Sequence, residues 1–387
     1  MADASSSGRL WALLVITSLT PGVAAMQWLR VLLAVSILSP VTLTAQQAAI
    51  PSSLVAPVAP VAGKQPETVT IDVAVSDKSG KPVQGLQQRD FTLLDDKQAK
   101  NLTSFRAVDL DAGTPAPPIE MVLVVDAINA DVLKAERQRE GIRSFLQSNG
   151  GKLALPVSVV TVTDKGMAKP TGASRDGNAL AAMLDQNATA LRLVNRTSAF
   201  SDFERYELSL KALDAMIAYE STKPGRKLIV WVSPGWPLLA RAATDITSTN
   251  QRQIFNAIVR TSTALRLGHI TLYNVVARGV AGTDVSQFWY YTQFLQGVKA
   301  PSQAYPPNLA LSVLAVQSGG LVLNESNDIP AAMANEIAKS AGDSRAFYVL
   351  TFQASDADHS NEYHTLEVKI DQPGATARTR TGYYTQP

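Results

Sequence analysis

The hydrophobic positions change period twice along the chain. Val69, Ile71, Val73 and Val75 alternate with Thr70, Asp72, Ala74 and Ser76, the period of a strand with one buried face. A turn at 77–80, apolar residues at Leu86 and 91–94, a second turn at 95–97, and Leu102 with Phe105 complete a small β module. From 119 onward, a continuous apolar run at 121–125 and apolar-rich segments at 155–162, 227–232 and 270–276 alternate with stretches of helical period. Such runs, bounded by turn signals, predict strands buried on both faces of a parallel sheet.

The helical stretches carry their own punctuation. Val132, Ala135, Ile142, Phe145 and Leu146 form one stripe, ending near Asn149 and Gly150. Tyr206, Leu210, Leu213 and Ile217 repeat behind a Ser201/Glu204 capping box and stop at Pro224 and Gly225. Ile254, Ile258, Thr261 and Leu265 follow a second box at Ser248/Gln251, with Gly268 suited to a left-handed end. A helix over 308–317 closed by Gly319 and Gly320, a short strand at 321–323 and a helix from about Pro330 continue the alternation, and strands at 346–352, 366–370 and 376–385 end the chain. The expected fold is therefore α/β, a doubly wound, mostly parallel sheet, with an added small β domain built from N- and C-terminal strands. Its expected divisions are a β module at 67–110, a Pro-rich linker at 111–118, the α/β domain at 119–342 and terminal strands at 343–387.

The amino end adds an address. Arg30 precedes an apolar run at 31–43 and then Thr44, Ala45 and Gln46, the form of an export signal over 1–45, with Met26 as an alternative start. Pro21, Gly22 and Pro40 interrupt the competing reading of an uncleaved anchor, so no stable membrane span is expected after signal removal. A Pro/Ala-rich linker occupies 46–66. The expected location is the periplasm or the exterior.

Composition narrows the chemistry. The 387 residues contain no cysteine, which removes disulfides, thiolate catalysis and cysteine-rich zinc sites. A formal charge of +2 gives no field suited to nucleic acid. His269, His359 and His364 are the only histidines, lie in no metal or catalytic motif, and read as ordinary surface or edge residues. Asp95 and Asp96 fall in a predicted surface turn, where adjacent carboxylates point apart. There is no Gly-x-Ser-x-Gly elbow and no phosphate loop.

Asp126, at the end of the run IEMVLVVD, is the principal candidate. Open parallel sheets bind ligands beyond the carboxyl ends of their strands, although a short carboxylate there also serves as a helix cap. Trp231 lies inside an apolar strand and reads as core, whereas Trp236 follows that strand in a Pro-Gly loop and reads as an exposed contact anchor. Phe288, Trp289, Tyr290, Tyr291 and Phe294 are spaced to pack one helix against the sheet.

The ordered segments IEMVLVVDAINA, KLIVWVSPGWP, HITLYNVVARG and LAVQSGGLVLNESNDI resemble a von Willebrand factor A domain. With VAVSDKSGKPVQGLQQRDFTLLDDK before them and FYVLTFQAS and RTRTGYY after, the chain resembles the VWFA-related proteins of the Acidobacterial type. That resemblance implies a binding protein with a protein partner and a divalent cation, such as Mg2+, held by an Asp-x-Ser-x-Ser loop with a threonine and a second aspartate. Here Asp126 matches, but Ile128 and Ala130 replace both hydroxyls, Ser233 and Pro234 stand where the aspartate belongs, and Thr197 or Ser198 aligns only loosely with the threonine. The expected site is thus a degenerate one at Asp126, Asn129 and Ser233, with weak or no metal affinity; Asn129 reads as a turn or cap residue rather than as a substitute oxygen donor. The function expected is non-enzymatic, adhesion-type recognition through the top face of the A-like domain. The alternatives are a structural component of an envelope or secretion assembly and a hydrolase with a site assembled from unaligned loops.

Overall fold

The two ends of the chain meet in a pair of antiparallel sheets. In the computed structural model, β1 (Thr68–Ser76), β2 (Phe91–Asp95), β3 (Gln98–Lys100) and β4 (Leu102–Asp109) come from the amino side, and β12 (Ala346–Gln353), β13 (Tyr363–Ile370), β14 (Thr376–Arg378) and β15 (Gly382–Tyr384) from the carboxyl side. They interleave as β14-β1-β12-β4 and β15-β13-β2-β3. Val69, Ile71, Val73 and Val75, the alternating set of β1, pack against Leu350, Phe352, Leu366 and Tyr383 in a common core. The structure describes residues 67–110, 112–113, 118–186, 202–237, 246–276, 290–323, 329–342, 344–355 and 359–386, all within the compact unit Ala62–Pro387. The expected signal and linker lie outside them.

Between these ends sits the α/β layer. Its strands are β5 (Ile119–Asp126), β6 (Lys152–Thr163), β7 (Gly166–Met167), β8 (Ser174–Asp176), β9 (Arg226–Ser233), β10 (Ile270–Val276) and β11 (Val322–Leu323). The order is β11-β10-β9-β5-β6-β7, with β8 also on β6. All neighbours from β6 to β11 are parallel, and β7 and β8 are antiparallel to β6. Counted along the main path, without β8, this is 3-2-1-4-5-6, the doubly wound order whose switch point lies between its first and fourth strands, here β5 and β9.

The helices are α1 (Val132–Gln147), α2 (Gly177–Gln186), α3 (Asp202–Ser221), α4 (Ser248–Leu267), α5 (Leu311–Gln317) and α6 (Ile329–Gly342). On one face Met121, Leu123, Val230 and Val232 pack with Ile142 and Leu146 of α1, Leu180 of α2 and Met333 and Ile337 of α6. On the other, Val122, Val124, Ile229 and Trp231 pack with Leu213 and Ile217 of α3, Ile258 and Leu265 of α4 and Leu311 of α5. Both faces of β5 and β9 are covered, which is why their residues are apolar without alternation.

Several local expectations change. Thr247, not Ser248, caps α4, its Oγ1 accepting from Asn250 N at 3.2 Å. Gly268 keeps a helical φ of −77° and the left-handed residue is His269, at φ 51°; a Cβ on Gly268 would lie 2.6 Å from Ser221 Oγ and 3.1 Å from Ala264 O, so the position has little room for a side chain. The expected helix over 308–317 is split by extended Ala310 into a 3-10 turn at Pro306–Leu309 and α5. The single strand expected at 376–385 divides as well, because β14 joins β1 while β15 joins β13, so the chain crosses from one sheet to the other between them. Ser201 lies outside the described residues.

Gly225 shows how tightly the layer is seated on the preceding linker. It has φ +82°, and a Cβ there would lie 2.0 Å from Pro118 O, the atom that accepts from Arg226 N at 2.9 Å. Gly225→Ala is expected to cost about 2–3 kcal/mol, against about 1 kcal/mol for Gly80→Ala, where φ is +83° but nothing lies within 4 Å. Urea midpoints compare them; equal losses would mean that the close approach contributes nothing.

Candidate functional site

Asp126 ends β5 at the switch point, fully buried. The β5–β9 register pairs Val125 with Val232, so Ser233 comes beside Asp126 across the ladder. Period two puts Trp231 and Ser233 on the same face of β9. The chain after β5 turns back over the carboxylate: Asp126 Oδ1 accepts from the backbone N–H groups of Ile128 and Asn129, both at 3.0 Å. Oδ2 accepts from Asn129 Nδ2 at 2.9 Å, Trp231 Nε1 at 3.0 Å and Ser233 Oγ at 2.7 Å. Asn129 Nδ2 also donates to Ser209 Oγ of α3 at 2.8 Å, tying the loop to the helix layer. On the opposite face Gln138 of α1 turns its amide nitrogen to the carbonyls of Val232 and Asp126, at 3.3 and 3.2 Å.

The structure therefore brings together Asp126, Asn129 and Ser233, but as acceptor and donors. Five donors meet two carboxylate oxygens, which have about four lone-pair positions. A divalent cation would face N–H and O–H hydrogens along those directions. The one side-chain oxygen left over is Asn129 Oδ1, buried with no hydrogen-bond partner among the described residues, and a hard cation takes six or more oxygens. The residues present do not fit the metal that the resemblance implies.

Trp236 is a correction. It is 5% exposed and packs edge-on against Trp231, ring centroids 5.2 Å apart. Gly235, at φ +104°, reverses the chain after Pro234, and its N–H donates to Ser233 Oγ at 3.1 Å, so the loop folds down onto the sheet end instead of projecting. Thr197, Ser198, Phe288 and Trp289 lie outside the described residues. Of the same aromatic run, 290–294 forms a 3-10 turn, and Tyr291 buries against Ala310 and Val313.

Trp231, Ser209 and Gln138 belong to this arrangement and were not among the expected site residues. One signal for Trp231 was available: a buried indole N–H usually finds an acceptor, and Asp126 is the carboxylate at the end of the adjoining strand.

Among the described residues, no acid–base or nucleophilic apparatus accompanies the cluster. Ser233 Oγ donates to Asp126 rather than to a histidine, and His269 lies at the opposite end of the sheet, just before β10. Elsewhere, Asp95, Asp96 and His364 bring potential ligand atoms within 4.8 Å of one another. Both Asp95 and His364 are buried there, which corrects the surface positions expected for them. His364 Nδ1 stands 3.4 Å from Asp95 Oδ1 and 3.0 Å from Asp96 Oδ2, between two carboxylates where a cation belongs, so the group is arranged as an internal ion pair.

No family model matches the chain, and no curated protein matches it. Among solved structures, the chain is similar to a point mutant of the PilB minor pilin of Streptococcus sanguinis, at 11% identity over 59% of this chain and 62% of that one, TM-score 0.35. It is similar to the human COPII-coat protein Sec24c, at 10% identity over 73% and 46%, TM-score 0.33. It is also similar to a von Willebrand factor type A protein of Catenulispora acidiphila, at 10% identity over 82% and 75%, TM-score 0.25. The chain spans under half of Sec24c and under two thirds of the pilin. With overlaps this low, the reading of the site rests on its own geometry.

Proposed function

We propose that the chain is an exported, non-enzymatic binding protein that recognises a protein partner through the face at the carboxyl ends of β5, β9 and β10, without a metal ion. The observation that carries this reading is the closure of the switch point. Where a doubly wound sheet ordinarily opens a ligand crevice, the Asp126 carboxylate is occupied by internal donors and Trp231 and Trp236 fill the space. A filled crevice leaves a surface, which suits a macromolecule better than a small substrate.

Apolar side chains stand exposed at the same end. Val132 and Leu133, in the first turn of α1 just beyond the Asp126 loop, are 58% and 60% exposed, and Phe203 begins α3, the helix whose Ser209 reaches Asn129. Asp131, Lys134, Asp202 and Arg205 surround them with paired charges, the make-up of an apolar contact with a polar rim. Export is supported by the pattern at 1–45; among the described residues no helix is long and apolar enough to cross a membrane.

Two measurements test the reading. Magnesium, manganese or calcium should leave the thermal midpoint of the full chain where chelator leaves it, since an ion that binds only the folded state must raise it; an ion-specific rise lost in Asp126→Ala would restore the metal. A partner retained from exported proteins in chelator should be lost on Val132→Glu/Leu133→Glu and kept on Tyr219→Glu; retention by both variants would move recognition elsewhere. A second reading, assembly by strand addition, is favoured by β4, eight residues long and last in its sheet; an Ala107→Pro change that abolished self-association or partner retention would select it.

A further inference from the structure

At the other end of β9, four arginines converge. Arg226 opens the strand, Arg266 lies in the last turn of α4, Arg378 ends β14, and Arg380 occupies the crossing between β14 and β15. All four line one cavity of about 20 Å³ beside His269, Thr271 and Asp72. Its depth is room for about one water or one anion oxygen, and the cavity is partly open to solvent. Arg226 and Ser233 are the two ends of β9, seven steps apart, roughly 23 Å at the usual rise, so it is a different place from the switch point.

Two of the guanidinium groups meet carboxylates of the β module. Arg226 Nε is 3.2 Å from Asp72 Oδ2, and Arg266 pairs with Glu67. Aromatic rings support the cations: Arg226 lies 4.3 Å over Phe347, Arg266 5.9 Å over Tyr383 and Arg378 5.8 Å over Tyr273, and Arg378 also donates to Gly319 O. Arg380 differs. It is 7% exposed, and no described residue accepts a hydrogen bond from its guanidinium. Burial pushes it down to about 10, with Arg266 repelling it and Asp72 attracting it. A buried charge without a hydrogen-bonded counter-charge is costly, and a guanidinium presents a planar fork of donors matched to oxyanions.

We propose that this cavity is an oxyanion site for a small tetrahedral anion of the phosphate or sulfate class, with the Arg380 fork as its central donor and Arg226, Arg266 and Arg378 supplying the surrounding positive field. The bound anion would tie β1, β9, α4 and the β14–β15 crossing together, the elements where the β sheets meet the α/β layer.

The test is the thermal midpoint of the full chain in inorganic phosphate, sulfate, acetate or chloride at matched ionic strength, with the phosphorus-31 line width of phosphate followed on the same protein. Binding should raise the midpoint with the logarithm of phosphate or sulfate concentration and broaden the phosphate line, with sulfate narrowing it again. Exclusion of these salts from the surface stabilises proteins too, but acts equally on every variant. Arg380→Gln should therefore keep the exclusion effect and lose the rest. Arg378→Gln, which leaves the buried core intact, should weaken binding about tenfold as one charged group is lost. Glycerol phosphate in place of phosphate separates a free anion from the head of a larger molecule: an equal shift assigns the site to phosphomonoesters, no shift to the free ion. Identical midpoints in phosphate and chloride, equal gains in wild type and both variants, or a response to acetate alone would overturn the proposal.

Discussion

Asp126→Ala is expected to cost about 3–5 kcal/mol, a fall of roughly 5 °C in thermal midpoint for a chain of this size. The reason is what the substitution leaves behind. Trp231 Nε1 and Ser233 Oγ belong to fully buried residues, and with the carboxylate gone they face a hole together with the N–H of Ile128 and the amide of Asn129. Each buried donor without an acceptor costs about 1–3 kcal/mol, relieved in part where water enters. Removing a donor is milder: Ser233→Ala leaves the carboxylate with its remaining partners and is expected to cost about 1 kcal/mol. Urea denaturation measures both, and Trp emission reports whether Trp231 and Trp236 become wetter. A neutral Asp126→Ala would mean that the carboxylate is not the acceptor this geometry makes it, and would reopen the ligand-binding reading.

That prediction differs from the one suggested by sequence alone, in which Asp126 is a half-lost metal ligand. The strand carrying it was legible because the unbroken apolar run 121–125, with apolar-rich segments recurring between helical stretches, suits only a sheet covered on both faces, and its end was legible because Asp126 is the carboxylate that closes that run. The donors were not, since Ser209 comes from a helix some eighty positions away and Trp231 from a neighbouring strand. Trp236 was misplaced because a Pro-Gly loop announces a turn without its direction, and Gly235 at φ +104° sends the indole inward. Asp95 was misplaced for an avoidable reason. Phe91, Leu93 and Asp95 occupy the same face of β2, and the alternation that buries the first two buries the third. Arg380 was hidden in what read as one strand and is a crossing between two sheets.

The second large effect belongs to Asp95. Its Oδ2 accepts from Ser355 Oγ at 2.6 Å, Ser355 N at 3.1 Å and Tyr383 Oη at 3.0 Å, while His364, stacked on Tyr383, faces Oδ1. Burial works against the charged carboxylate, but His364, Ser355 and Tyr383 outweigh it and hold Asp95 at about 2, below its ordinary 3.8. The folded value is depressed, so the contribution, roughly 2 kcal/mol, is complete above about pH 4 and is lost as pH falls towards 2. For His364 the sign reverses. Asp95 beside it raises its value above 6.5, burial lowers it, and Asp96 and Glu362 add to the rise. Its contribution is therefore complete below about pH 6.5 and lost as pH climbs through the raised value. Together the pair predicts a plateau of stability from about pH 4 to 6.5 with a decline on each side. His364→Gln should remove the alkaline decline and shallow the acid one; Asp95→Asn should remove the acid decline and leave on the alkaline side only what Asp96 and Glu362 sustain. Urea midpoints across pH for wild type and both variants decide the matter. An alkaline decline that survives His364→Gln unchanged would assign it to another group and leave the buried imidazole electrostatically idle.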